Sequence, residues 1–294
     1  MKVAGDYLLD PGEIRLLEGM RLMPRKVTGG KIRGDRLTRK KGVSIEFADF
    51  RDYVDGDDVR HLDWNVLARM QTPVIRTYQD EEDIAVYVLL DCSPSMEFGD
   101  PPKLQFGKKL AAALSYLTLG GGDALHLIAA CAPPSHTRAS RGRSSFFKAD
   151  SWLAAQSASA SRSLSESLYA FVSGKFRSGL VYVLSDGLDP KIIESVAQLS
   201  GRGHEVSFVQ ILAREEIDPD IEGDLRLIDC EDETSVDITA TSQALKEYRR
   251  NLEEHCAKLA EACVRYGGRY ARMTSDGALD SFVKDTLRRE GWVA

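Results

Sequence analysis

Two oxygen-rich loops carry the chemistry this chain can offer. The first, Asp91-Cys92-Ser93-Pro94-Ser95, puts one carboxylate and two hydroxyls directly after the apolar run Ile84 to Leu90. The second, Ser185-Asp186-Gly187, follows a similar run, Leu180 to Leu184. Asp91, Ser93, Ser95 and Asp186 are hard oxygen ligands, suited to Mg²⁺ or Mn²⁺ in octahedral geometry at about 2.1 Å. Neutral hydroxyls leave the cation electrophilic, so it can still accept a further carboxylate or water. Taken alone, Asp91 could instead be a strand-end residue that caps its own turn, with Pro94 shaping the loop.

Both loops need a platform. Residues 84–90 are apolar without alternation, as expected of a parallel strand covered on both faces, and the same holds for 180–184. Asp91 and Asp186 then stand at strand carboxyl ends, where open α/β sheets hold their ligands. Between and after these strands the pattern predicts a helix over 103–119 closed by Gly120-Gly121-Gly122, and a strand over 124–131. Next come a loop or hairpin over 135–145, a helix over 163–172, a helix over 192–199 and a strand over 205–212. Residues 215–240 break the rhythm and read as a β-hairpin insertion. A long amphipathic helix over 242–266, a strand over 269–273 and a helix over 279–288 complete the pattern. The fold class is α/β, a mostly parallel central sheet with helices on both faces.

The two loops resemble the metal-ion-dependent adhesion site of von Willebrand factor A domains. That resemblance implies a Rossmann-like sandwich and a cation that bridges to an acidic residue of a partner. The family's third loop supplies a Thr in a Gly-Thr-x-Leu pattern; here the run is Ser161-Arg162-Ser163-Leu164. Ser161 or Ser163 are the substitutes, and Arg162 could replace the cation's charge outright.

Residues 1–80 differ in character and are expected to form a segment packed on the main domain of 81–294. Arg25, Lys26, Lys31, Arg33, Arg36, Arg39, Lys40 and Lys41 make a cationic run with turn chemistry at Gly29-Gly30. A solvated hairpin and a docking surface for an acidic partner are the competing readings. The run lacks the interleaved aromatics of a nucleic-acid binder. The passage that follows is acidic and aromatic: Phe47, Arg51, Tyr53, Gly56, Asp57, Asp58, Arg60, Asp63, Trp64, Ala68 and Arg69 resemble, in order, the signature of the family called "domain of unknown function 58". Gly223-Asp224-Leu225-Arg226-Leu227-Ile228-Asp229 resembles a later part of it. The resemblance implies a MoxR-type AAA+ ATPase, or its client, as partner and a role in protein assembly or maturation. The charges interleaved with Phe47, Phe50, Tyr53 and Trp64 are expected to be a partly buried ion-pair network.

The remaining features exclude more than they assign. The net charge of -6 over 294 residues argues against nucleic-acid binding. No apolar stretch is long enough for a membrane span and residues 1–6 lack a secretory h-region, so a cytoplasmic location is expected. Five cysteines without a Cys-x-x-Cys pair fit reduced thiols, with Cys92 and the pair Cys256 and Cys263 in packing roles. His61 and Asp63 diverge on a helix and make no catalytic pair. No nucleotide-binding, zinc-protease or nucleophile-elbow motif occurs. The expected function is therefore a non-enzymatic interaction module. A metal-independent scaffold and a metal-dependent phosphoesterase are the alternatives, the latter weakened because no base or Lys clamp is evident near the two loops.

Overall fold

The computed structural model describes residues 7–25, 47–55, 57–78, 83–130, 135–159, 163–230 and 234–294. They fall into two compact units, one made of residues up to 26 together with 84–294, the other lying within 27–83. The elements in chain order are α1 (Pro11–Leu17), β1 (Phe47–Asp52), α2 (Trp64–Met70), β2 (Val74–Tyr78), β3 (Ala85–Asp91), α3 (Lys103–Gly120), β4 (Ala124–Ala130) and β5 (Ser135–His136). There follow α4 (Phe146–Ala154), α5 (Leu164–Ser173), β6 (Leu180–Ser185), α6 (Ile192–Gly201), β7 (Glu205–Leu212) and α7 (Arg214–Ile217). The chain closes with β8 (Gly223–Ile228), β9 (Ser235–Ala240), α8 (Ser242–Arg265), β10 (Arg269–Thr274) and α9 (Leu279–Ser281).

The larger unit is a six-stranded sheet in the order β10-β7-β6-β3-β4-β5. Every pairing is parallel except the short β5 against β4. Successive residues of β3 feed opposite cores: Val86, Val88 and Leu90 join α3 and α4, while Ala85, Tyr87 and Leu89 join α5 and α6. Burial on both faces is why the strand runs are apolar without alternation. Cys256 and Cys263 are both buried on α8, as their spacing predicts.

Residues 7–25 belong to this unit rather than to the segment that follows them, which shifts the boundary expected at 80. Asp10 caps α1 in a reciprocal box with Glu13. Leu9, Leu17 and Leu22 pack into the core beside α3, and Leu22 bridges to Val293 near the chain's end. The helix α4 was not foreshadowed by the sequence pattern, and β8 and β9 pair with each other rather than adding to the main sheet. The expected terminal helix becomes π-helical over Phe282–Arg288. Among the described residues no helix is long and apolar enough to cross a membrane.

In the smaller unit β1 and β2 form an antiparallel pair, with Leu62, Val74 and Ile75 buried. Its charges close locally: Arg51 grips Asp57 through two 2.6 Å bonds, and Arg60 pairs with Asp58, which also caps the turn at Val59–His61. Asp63 caps α2. The expected ion pairs form, with Asp57 and Tyr53 half-buried and Asp63 buried, but Phe50 and Trp64 are 43% and 62% exposed, so the aromatic residues are not what encloses them. The apolar positions at Leu62, Val74 and Ile75 take the interior instead. His61 is exposed, in keeping with a surface role. The basic run beyond Arg25, and Ser161 and Arg162, lie outside the described residues.

Candidate metal and docking site

Asp91 is the last residue of β3 and Ser185 the last of β6, and these strands are neighbours in register. The fold therefore brings together two loops that lie far apart in the sequence. Asp91 accepts the backbone N–H of Ser93 on Oδ1 at 2.9 Å and the Ser185 hydroxyl on Oδ2 at 2.6 Å. The Ser93 and Ser95 hydroxyls lie 3.0 Å apart across the turn Pro94–Glu97. Asp186 accepts the Leu188 N–H at 3.2 Å, and its own carbonyl is held by Gln210 Nε2 at 2.7 Å. The turn depends on Gly187: φ is +68°, and an added Cβ would lie 2.9 Å from Leu259 Cδ2.

Asp91, Ser93, Ser95, Asp186 and Ser163 all line one cleft of about 1200 Å³ at the carboxyl ends of the strands. Ser163 is the N-cap of α5, its Oγ accepting the Glu166 N–H at 3.2 Å. Cys92, buried beneath the loop with its Sγ 3.7 Å from the Leu90 carbonyl, plays the packing role.

The sequence reading missed one group of charges. Lys103, the first residue of α3, is completely buried, and its ammonium bonds Asp186 Oδ2 at 2.8 Å and Glu216 Oε1 at 2.5 Å. The expectation of no Lys near the loops is thus corrected. Burial works against the Lys103 ammonium, yet Asp186 and Glu216 hold its pKa above the ordinary value. Glu216 is fixed in turn by the Ala213 N–H on Oε2 at 2.7 Å, and Tyr248 donates to its carbonyl at 2.7 Å. A positional signal existed for both residues. Each begins or sits in the first helix after a buried strand, at the rim where strand carboxyl ends gather.

The Asp91 carboxyl is pushed up to about 7, first by burial and second by the neighbouring charge of Asp186. Two carboxylates this close, one without its own cation, create a demand for positive charge that a proton or a metal can meet. The donor chemistry fits a hard divalent ion. Asp91 accepts from the Ser93 N–H and hydroxyl and from Ser185, and Asp186 from the Leu188 N–H and Lys103, so carboxylate and hydroxyl oxygens converge at the cleft mouth. Among the described residues no three His, Cys, Asp or Glu side chains gather as a metal cluster, so a cation here would draw on the serines.

A family model described as "Protein of unknown function DUF58" matches residues 49–258. The chain belongs to this DUF58 family. The match spans both the Arg51 to Trp64 passage and the two oxygen-rich loops. Relatives include uncharacterized proteins Mb1516 of Mycobacterium bovis and Rv1480 of Mycobacterium tuberculosis, each 26% identical over 275 residues, covering 91% of this chain and 86% of theirs. Among solved structures, BatB from Bacteroides thetaiotaomicron aligns with a TM-score of 0.44 at 15% identity, covering 71% of this chain and 98% of that one. An aerotolerance-related membrane protein from Bacteroides fragilis aligns with a TM-score of 0.44 at 16% identity, covering 70% and 98%.

Proposed function

We propose that this DUF58 protein is an interaction module of von Willebrand factor A type, whose cleft holds Mg²⁺ or Mn²⁺ and receives an acidic residue of a partner. The observation that carries this reading is the meeting of Asp91, Ser93, Ser95 and Asp186 at one cleft mouth. These four, with Ser163 on the third loop, would hold the ion. A bound divalent cation supplies an electrophilic position for a partner's carboxylate. The chain's own residues do the rest: Ser185 and the Ser93 N–H orient Asp91, and Lys103 and the Leu188 N–H orient Asp186. We assign the partner class from the family resemblance, as a MoxR-type AAA+ ATPase or its client.

The buried Lys103 favours a second reading, a metal-independent scaffold in which its ammonium serves as the site's cation. It satisfies Asp186 but does not bond Asp91, and so leaves that carboxylate's demand for charge unmet. A phosphoesterase draws less support. With no exposed surface and two carboxylates as partners, Lys103 is unavailable to clamp a phosphate.

Calorimetric titration of chelator-treated protein with Mg²⁺ and Mn²⁺, with Asp91→Ala as control, tests the reading. Saturable binding lost in the variant is the expected result. Heat indistinguishable between the two proteins would favour the scaffold.

A further inference from the structure

The residues lining the cleft around the proposed metal position carry predominantly negative charge. Outside the ligand set, Glu166, Asp189, Glu194 and Asp229 line it, with Glu216 neutralised by Lys103, and Lys191 is the single Lys or Arg among the described lining residues. Glu166 and Glu194 are exposed on α5 and α6, so the two helices present acidic walls. Apolar side chains line the same cleft: Phe98, Tyr169, Leu188 and Ile228 are all exposed large hydrophobics. Apolar contacts rimmed by charge are the usual face of a recognition site.

A lone carboxylate entering this cleft would approach the cation against at least four other carboxylates. At physiological salt, screening acts over about 8 Å, so walls of the same cleft still repel it. A segment that sets its acidic residue among Lys or Arg and apolar residues turns that repulsion into attraction.

We infer that the cleft takes an extended segment of a partner protein in which one Asp or Glu is flanked by basic and apolar side chains. The inference rests on the docking reading above and names the partner's chemistry. The acidic walls select the flanking cations, and Phe98, Tyr169, Leu188 and Ile228 contact the apolar residues.

The test is fluorescence anisotropy with two labelled model peptides, each with a central Asp and flanking Leu, one carrying Lys at the remaining positions and the other Glu. The Lys peptide is expected to bind at least about tenfold tighter at low salt, with the preference shrinking as salt is added. In the double variant Glu166→Lys with Glu194→Lys the preference should disappear or reverse. Should that variant fail to fold, the salt dependence of the wild-type preference decides. Equal binding of both peptides, with Mg²⁺ still required, overturns the inference and leaves the metal reading standing. Preference for the Lys peptide that ignores chelation keeps the inference and removes the metal reading. Failure of both peptides to bind at millimolar concentration overturns both.

Discussion

The charges at the rim of the main sheet and those of the 47–78 segment are the same residue types in opposite surroundings. Lys103, Asp186 and Glu216 are withdrawn from water, whereas Arg60 and Asp58 form their pair in contact with it. Both sets show short, well-directed bonds, so bond length does not separate them. Desolvation does. A buried charge that loses its partner has no water to replace it, while an exposed one is rehydrated at once. The difference lies in where the cost falls: the rim triad depends on its pairing, whereas the Arg60–Asp58 pair can be lost to water at little cost.

The largest effect that would break this contrast comes from Lys103→Met. It leaves buried Asp186 and the mostly buried Glu216 without their cation and is expected to cost about 3–5 kcal/mol of unfolding free energy, measured by urea titration. If Mg²⁺ binds the Asp91 and Asp186 oxygens, saturating Mg²⁺ restores part of that loss. A loss below about 1 kcal/mol would mean that the rim is wetter than its burial indicates.

A smaller effect sharpens the contrast through pH. Asp91 holds its proton up to about pH 7 in the folded chain but only to its ordinary value of 3.8 when unfolded. The folded state thus binds more protons between these values, and stability falls as pH rises from about 4 to 7 in metal-free protein. Asp91→Asn removes the titration, and its stability profile should be flatter over that window by on the order of 2–4 kcal/mol. If the proposed site takes Mg²⁺, added Mg²⁺ should flatten the wild-type profile too, the ion standing in place of the proton. Parallel profiles for wild type and variant would contradict the assignment.

The smallest effect is expected at Arg60→Ala. Its pair with Asp58 is open to solvent, and the thermal midpoint should not move beyond reproducibility at either low or high salt. A clear drop would place these charges in a class with the rim triad.

Much of this could be read along the chain. Unbroken apolar runs located β3 and β6, and with them the carboxylates at their ends, because a strand buried on both faces has no polar positions. The paired apolar positions Leu225 with Ile238 and Leu227 with Val236 made the hairpin legible. α4 was not, since its Phe-Phe-Lys-Ala-Asp-Ser-Trp-Leu-Ala sequence follows a Ser/Arg-rich stretch that punctuates like a loop. Phe50 and Trp64 misled for a related reason: aromatic residues among charges mark a motif but not its burial.

By itself the sequence determined the strand ends, the oxygen-bearing side chains of the two loops and the family to which the chain belongs, because these are written in contiguous residues. Only the tertiary structure decided that Lys103 joins Asp186 and Glu216, across 83 and 113 residues, and that the acidic faces of α5 and α6 frame one cleft. The physical reason is that a buried cation's partner is chosen by the whole set of charges left without water when the sheet closes, and no local pattern records that choice.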